Sequence, residues 1–361
     1  MMPPRLGPDE LARIVNLHEF ETLARERMTG PNYDYVAGGS WDEITLAENE
    51  AAWRSFRFAY RVLTEIRAVD VGGSFLGRPS ALPIAIAPMA AQTMAHPDGE
   101  GAMARAAATT GIPMVHATSA SMTAEEVVAA AAPEADRLFQ LYLLRDLGYT
   151  RALVERAEAA GYRAIVLTVD LPVLGYRERD RRNAFQLPRM PLVEAVAGAA
   201  RGRYAGLDGQ RAVGLTWADL ATVRSWSSLP LVLKGIVAPE DARLAVEHGA
   251  DAVIVSNHGG RQLDRSLATA DALEGVVAAV EGRIEVWVDG GIRRGLDVAI
   301  AMSLGASGVL VGRPFYWALA AGGQAGVERA LAILREELSI ALPLLGCSSV
   351  GGATRDLVRD R

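Results

Sequence analysis

One cysteine, Cys347, stands in a chain of 361 residues. A single thiol excludes an intrachain disulfide framework and any metal centre built on clustered cysteines. No metal is expected, and Cys347 itself reads as a small buried apolar residue in a reducing compartment. The chain also lacks a block of basic residues, and its net charge is −6. Nucleic acid and anionic membrane surfaces are therefore poor partners. No uninterrupted apolar run reaches membrane-spanning length. The beginning, Met1-Met2-Pro3-Pro4-Arg5, leads into polar sequence rather than an apolar signal core, and the ending, Asp360-Arg361, is no retention or peroxisomal tripeptide. A cytoplasmic protein is expected. Two glycine motifs are missing as well. No G-x-G-x-x-G follows the first strand and no G-x-x-x-x-G-K-[ST] occurs, which argues against a Rossmann dinucleotide site and a P-loop.

What is present is an ordinary globular composition, 50% hydrophobic and 22% charged, with ample material for a core. Residues 9–28 carry Leu11, Ile14, Val15 and Leu23 near helical spacing and predict a helix. Tyr33 and Tyr35 follow, with packing as their default role, and then a Gly38-Gly39 break that suits a turn. From residue 83 a rhythm of short apolar strands begins: Pro83–Ala87, Ile112–His116, Leu138–Tyr142, Ala164–Val169, Leu231–Leu233, Ala252–Val255, Ile284–Val288 and Gly308–Val311. Helical segments such as Thr150–Ala160 and Pro239–His248 lie between them, the second followed by Gly249 as a C-cap. Continuous apolar strands alternating with helices mean parallel βαβ units. Eight of them predict an α/β fold, a (β/α)8 TIM barrel with an N-terminal helical segment, forming a single domain over residues 1–361. A doubly wound open sheet is the competing architecture. The rhythm breaks once, where about sixty residues separate the fourth and fifth strands. That gap contains residues 188–215, rich in Ala, Gly and Arg, and predicts a lid loop over the catalytic face.

Barrel chemistry belongs at the C-terminal strand ends. The first strand ends at Pro88-Met89-Ala90, the third carries Gln140 and Tyr142, and the fourth ends with Thr168 and Asp170. The fifth ends at Lys234, the sixth at Ser256-Asn257-His258-Gly259-Gly260-Arg261-Gln262-Leu263-Asp264, the seventh at Asp289-Gly290-Gly291-Ile292-Arg293 and the eighth at Gly312-Arg313. A histidine three residues before an arginine combines a proton acceptor near neutral pH with a planar fork for a carboxylate. Each residue has a bland alternative: Arg261 paired with Asp264, Asp170 as a helix N-cap, Lys234 in a structural ion pair. Taken together they describe one cavity, since so many ionisable groups at the rim of an apolar core are costly without a purpose.

Glycines and two guanidiniums after the last two strands suit a phosphate. With Lys234, Gln140 and Thr168 across the mouth, a phosphorylated planar cofactor such as flavin mononucleotide (FMN) would fit. Gln140 and Thr168 can hydrogen-bond a pyrimidine edge, and Lys234 can stabilise negative charge on a reduced ring. A substrate phosphate is the rival explanation, and with it a non-catalytic barrel that binds a phosphorylated metabolite. An FMN-dependent isomerase on a similar barrel is a second rival, though it would not need two arginines to clamp a carboxylate.

The nine residues Ser256–Asp264 resemble the signature of the FMN-dependent 2-hydroxy acid oxidase and dehydrogenase family. Further matching pieces are Tyr33-Asp34-Tyr35, Ile86-Ala87-Pro88, Met94-Ala95-His96-Pro97, Phe139–Tyr142, Leu167–Asp170, Lys234-Gly235, Asp289–Gly295 and Gly312-Arg313-Pro314. The resemblance spans roughly residues 30–350 and implies a (β/α)8 barrel and FMN. It implies that His258 is the base, that Asp170 pairs with it, and that Arg261 and Arg177 hold the substrate carboxylate with help from Tyr35. Tyr142 would contact the substrate hydroxyl. Pro88, Met89, Ala90, Gln140, Tyr142, Thr168, Lys234 and Ser256 would line the flavin. Asp289, Gly290, Gly291, Arg293, Gly312 and Arg313 would hold its ribityl phosphate. The expected reaction is oxidation of an L-2-hydroxy acid to the 2-oxo acid, with oxygen as acceptor and hydrogen peroxide as product. A quinone or carrier protein is the alternative acceptor. A homo-oligomer of four or eight copies is also implied.

The chain departs from glycolate oxidases at two places. Ala117 and Ser119 stand where those enzymes place a serine and an aromatic residue, so one flavin contact is missing and the pocket beside the substrate side chain is wider. A bulky or aromatic, mandelate-like acid is therefore expected over lactate or glycolate. Met89 stands where glycolate oxidases have threonine.

Overall fold

The computed structural model describes residues 3–188, 190–191 and 214–359. Eight parallel strands close into a barrel: β1 (Ile84–Ile86), β2 (Met114–Ala117), β3 (Arg137–Leu141), β4 (Ile165–Thr168), β5 (Leu231–Ile236), β6 (Ala252–Val255), β7 (Glu285–Asp289) and β8 (Gly308–Val311). All eight strands expected from the sequence are there. The doubly wound alternative is excluded by closure, because β8 pairs with β1 through Val309–Ile84, Leu310–Ala85 and Val311–Ile86. Helices follow the strands in turn: α1 (Gly99–Thr110), α2 (Ala124–Ala130), α3 (Leu147–Ala159), α4 (Asp219–Arg224), α5 (Pro239–Glu247), α6 (Thr269–Val280), α7 (Gly295–Ser303) and α8 (Arg313–Leu345). α8 is two helical pieces joined at Gly322-Gly323, whose backbone leaves the helical region.

Strand alternation sorts the side chains into two layers. Ile84, Ile86, Met114, Phe139, Leu141, Ile165, Leu167, Val253, Val255, Val286, Val288, Val309 and Val311 face out and pack with the helices. Ala85, Val115, Leu138, Val166, Val232, Ile254, Trp287 and Leu310 face in and form a separate inner cluster. Phe75, on the hairpin of Gly73–Phe75 and Arg78–Ser80, completes that cluster and meets Trp287 edge-on at 5.1 Å. The barrel is thus filled from its N-terminal end.

Two details of the N-terminal segment differ from expectation. Residues 9–28 form two helices, Pro8–Ala12 and Leu17–Arg27, rather than one. The break is set by Asn16, whose side-chain oxygen accepts the N–H groups of His18 and Glu19 and starts a new helix. Tyr33 and Tyr35 lie in a short helix, Gly30–Ala37, that ends at the expected glycine break. The longer helix Ile44–Ser55 then packs against the loop after β6. Most of the expected lid, 188–215, lies outside the described residues. Cys347 is buried, as expected, and its thiol donates to the carbonyl of Gly352. No helix among the described residues is long and apolar enough to cross a membrane.

Candidate active site

The inward-facing register of each strand continues one step beyond the apolar plug. Ala87 follows Ala85, Ala117 follows Val115, Gln140 follows Leu138, Thr168 follows Val166, Lys234 follows Val232, Ser256 follows Ile254, Asp289 follows Trp287 and Gly312 follows Leu310. One residue per strand therefore caps the plug. The three smallest, Gly312, Ala87 and Ala117, sit on the adjacent strands β8, β1 and β2. The other five are polar and occupy the rest of the ring.

Within that ring Lys234 is buried, and its ammonium donates to Ser256 Oγ at 2.8 Å and lies 3.3 Å from Asp289 Oδ2. Burial works against its charge, but Asp289 and Asp170 outweigh that and leave its pKa raised. Lys234 is a cation at neutral pH. Gln140 Nε2 donates to Thr168 Oγ1 at 3.0 Å, and Gln140 Oε1 accepts from the backbone N–H of Thr118 at 3.2 Å. The other amide hydrogen of Gln140 has no partner among the described residues. Tyr142, two residues on, has its backbone N–H on Thr118 Oγ1.

Above the ring stands His258. Its Nδ1 is 2.8 Å from Asp170 Oδ1. Burial is the largest influence on the imidazole and drives its pKa down to about 4. The sequence suggested titration near neutrality, but burial and the Lys234 charge hold the ring neutral well below that. Burial also opposes ionisation of Asp170, yet its pairing with His258, and then the Lys234 ammonium, leave its pKa lowered. Asp170 is thus a carboxylate and can only accept. Nδ1 must carry the proton, so Nε2 presents a lone pair toward the mouth. His258, Gly259 and Gly260 take φ values of 58°, 64° and 74°, three left-handed residues in a row that swing the imidazole out of the strand direction. Here glycine is required, since a Cβ on Gly260 would lie 2.6 Å from the backbone nitrogen of Leu46.

Three arginines border the histidine. Arg261 donates to the carbonyls of Tyr35 at 2.5 Å and Gly38 at 2.9 Å, and its guanidinium lies 4.8 Å from the centre of the Tyr35 ring. Tyr35 in turn stacks on Phe185, centroids 4.5 Å apart. Arg177 donates to the carbonyl of Arg261 and to Gln262 Oε1. Arg313 donates to the carbonyls of Val36, Gly259 and Gly38. Among the described residues none of these bonds ends on a carboxylate. Burial pushes Arg261 down to about 10 and Arg313 to about 9, with the neighbouring arginines adding to the effect. Arg261 and Arg313 remain charged at pH 7. Clustered cations set into the protein and hydrogen-bonded to neutral acceptors are costly, and an anion is the ordinary remedy.

The bland alternatives fail for two residues. Asp264 does not pair with Arg261, because its carboxylate accepts the N–H groups of Asp42, Ile44 and Thr45. Asp170 does not cap the next helix, Glu178–Arg182, which begins after Arg177. Lys234 does make an ion pair, but inside the ring. The phosphate expectation is altered for two others. Arg293 is paired with Glu50 at 2.8 Å, and a Cβ on Gly291 would lie 1.9 Å from the Asn49 carbonyl oxygen. Gly291 is therefore required by the close approach of helix Ile44–Ser55 whatever else it binds. Gly290, at φ 93°, gives its carbonyl to Trp53 Nε1. In the loop after β1, Ala90 and Ala91 carbonyls receive the Tyr316 hydroxyl, and Met89 Sδ lies 3.7 Å from where a Cβ on Gly312 would stand. Pro88, Met89 and Ala90 are partly exposed there.

Several residues have supporting roles that the sequence did not signal. Asn49 and Asn257 exchange two amide hydrogen bonds of 2.9 and 2.8 Å, and Asn257 also accepts from Gly260 N–H. Glu100 is fully buried and accepts from Gln92 N–H, Ser121 N–H and Ser121 Oγ, stitching the loop after β1 to the loop after β2. The Asn49–Asn257 pair exists only because segments 208 residues apart come together.

The residues fit a phosphorylated planar group. Three small residues lie side by side on β8, β1 and β2, with Gly312 open to a distance of 3.7 Å. Polar groups line the opposite side. Buried Asp170 Oδ2 and Asp289 Oδ1 have no hydrogen-bond partner among the described residues, which costs about 1–3 kcal/mol each if nothing fills the place. Arginine cations stand nearby.

Comparison with known proteins agrees. Residues 24–360 match the family described as FMN-dependent dehydrogenase. The chain is 48% identical to an L-lactate oxidase of Nostoc sp. over 348 residues, covering 93% of this chain and 95% of that one. It is 46% identical to glycolate oxidase 3 of Arabidopsis thaliana over 355 residues, covering 96% of each. A solved structure of mandelate oxidase with (S)-4-hydroxymandelic acid superposes with a TM-score of 0.90 at 45% identity, covering 96% of this chain and 99% of that one. Barrel, polar ring and family match converge: the chain belongs to the FMN-dependent dehydrogenase family, the 2-hydroxy acid oxidase enzymes whose cofactor is FMN.

Proposed function

We propose that the protein oxidises an L-2-hydroxy acid with a bulky or aromatic side chain to the 2-oxo acid and passes the electrons to oxygen. The observation that carries this reading is His258, whose Nδ1 lies 2.8 Å from Asp170 Oδ1, flanked by two guanidiniums that among the described residues hydrogen-bond to no carboxylate. FMN, when bound, supplies the two-electron acceptor. Gln140, Thr168, Lys234 and Ser256 would hold its ring beside Pro88, Met89 and Ala90. Asp289, Gly290, Gly291, Arg293, Gly312 and Arg313 would hold its ribityl phosphate. His258 Nε2 takes one proton from the substrate, and Asp170 stabilises the imidazolium that results. Arg261 and Arg177 hold the carboxylate, while Tyr35 and Tyr142 sit beside the substrate. In balance, one hydroxy acid and one oxygen give one 2-oxo acid and one hydrogen peroxide. The oxidase names of the relatives support oxygen as acceptor.

Substrate size rests on Ser119. It is buried, and its carbonyl accepts the N–H of Ala91 at 3.0 Å, next to the loop that carries Met89 and Ala90. A small residue there leaves room, and the mandelate oxidase named with (S)-4-hydroxymandelic acid accords with this. Replacing Ser119 by tryptophan should lower kcat/KM for mandelate relative to glycolate by about tenfold or more, the worth of a few lost apolar contacts. An unchanged ratio would remove Ser119 from the account.

Purified protein should be yellow. It should bleach anaerobically with 2-hydroxy acids, fastest with bulky ones, and release peroxide when air is admitted. Bleaching without peroxide would hand the acceptor role to a quinone or carrier. A colourless protein that binds phosphorylated metabolites would end the proposal. Arg261→Lys should raise KM by roughly tenfold to a hundredfold, because an ammonium cannot reproduce the bidentate fork. Steady-state kinetics with one good substrate measure it, and a fall in kcat alone would contradict the role.

A further inference from the structure

The loops after β4 and β6 touch closely enough that glycine is needed at position 175. A Cβ on Gly175 would lie 2.4 Å from the Arg261 carbonyl oxygen and 2.8 Å from that of Gln262. Across this seam the buried Gln262 side chain uses both ends of its amide. Its Oε1 accepts from Arg177 Nη2 at 3.0 Å and from Gly175 N–H at 3.4 Å. Its Nε2 donates to the carbonyl of Val173 at 2.9 Å and to that of Asp170 at 3.4 Å. Arg177 Nε completes the seam with a bond to the Arg261 carbonyl at 3.1 Å.

We infer that Gln262 is the positioning residue of substrate recognition: its amide holds the Arg177 guanidinium next to Arg261 and ties both to the strand end that carries Asp170. The inference rests on the proposed role of Arg177 as a carboxylate holder. A free arginine side chain samples many rotamers, and one that must meet a planar anion in a single pose has to be held. The chemical identity of the holder matters. A carboxylate at 262 would orient Arg177 equally well but would neutralise it and compete with the substrate anion. A neutral amide oxygen orients the cation and leaves its charge for the ligand. The other amide end acts on the Asp170 backbone, so the carboxylate clamp and the His258–Asp170 pair share one anchor.

The test uses FMN-loaded enzyme, with oxalate as a dead-end dianion followed by the flavin visible spectrum. Gln262→Ala should weaken oxalate by roughly tenfold, the loss of one hydrogen bond to a charged group, with flavin content unchanged. KM for a 2-hydroxy acid should rise more than kcat falls. For the corresponding neutral 2-hydroxy amide, which offers Arg177 no anion, the change should vanish. In an Arg177→Leu background, Gln262→Ala should add nothing further. Gln262→Glu keeps the shape of the side chain and should still lose oxalate affinity through neutralisation of Arg177. It also serves if the alanine variant fails to fold. Additive losses in the double variant, or equal losses on the neutral amide, would overturn the inference. If Arg177→Leu alone leaves oxalate binding intact, the carboxylate role of Arg177 falls, and Gln262 falls with it.

Discussion

Removal of the imidazole of His258 is expected to slow substrate-driven flavin bleaching by about 10⁴-fold, roughly 5.5 kcal/mol in barrier, while FMN remains bound. The proton has to leave the substrate toward a group of suitable basicity, and Nε2 of His258 is the nitrogen left with a free lone pair once Nδ1 is committed to Asp170. Lys234 cannot substitute, because it is a cation held between Ser256 and Asp289. The backbone dictates which variant tests this. His258 has φ 58°, a left-handed conformation that asparagine adopts more readily than alanine. His258→Asn therefore keeps the loop while removing the base, and His258→Ala serves as its control. Single-turnover bleaching under anaerobic conditions measures the effect directly. Turnover within tenfold of the native rate in either variant would dismiss His258 as the base.

Asp170→Asn should cost about 10²–10³-fold in the same experiment, by a different route. The amide can still accept from Nδ1–H, so orientation survives in part. The negative charge does not survive, and that charge is what raises the pKa of His258 against the pull of burial. Its removal lowers the pKa further from about 4, which makes the imidazole a weaker base and its protonated form less stable. The sign is then fixed for the pH profile. In the native enzyme the neutral imidazole is present above about 4, so the rate of reduction should fall only as pH drops toward that value. In Asp170→Asn this acid limb should move to lower pH while the plateau falls. A limb that shifts upward would mean that Asp170 and His258 are not coupled as described.

Much of this site was open to a reader of the sequence, and for a specific reason. A barrel strand alternates its side chains, so Leu138–Gln140, Val166–Thr168, Val232–Lys234, Ile254–Ser256 and Trp287–Asp289 each announce a polar group one step above an apolar one. Eight such strands in order leave few architectures, and their polar ends must then share a mouth. The residues beneath the site were not open in the same way. Asn49 and Asn257 are 208 positions apart, Glu50 reaches Arg293 from the opposite end of the chain, and Gln262 was one polar residue of a polar loop until Arg177 was seen against it. Periodicity carries no information about which distant loop will lie alongside.

Local order thus determined the barrel, its eight strands and the identity of the groups around its rim, because alternation and strand–helix rhythm are properties of neighbouring residues. Tertiary structure decided what state those groups are in. It took His258 from a residue that titrates near neutrality to one held neutral down to about 4, and it engaged Arg313 with three carbonyls and Arg293 with Glu50. Charge state and hydrogen-bond partner depend on burial and on contacts between segments hundreds of residues apart, and those exist only once the chain has closed on itself.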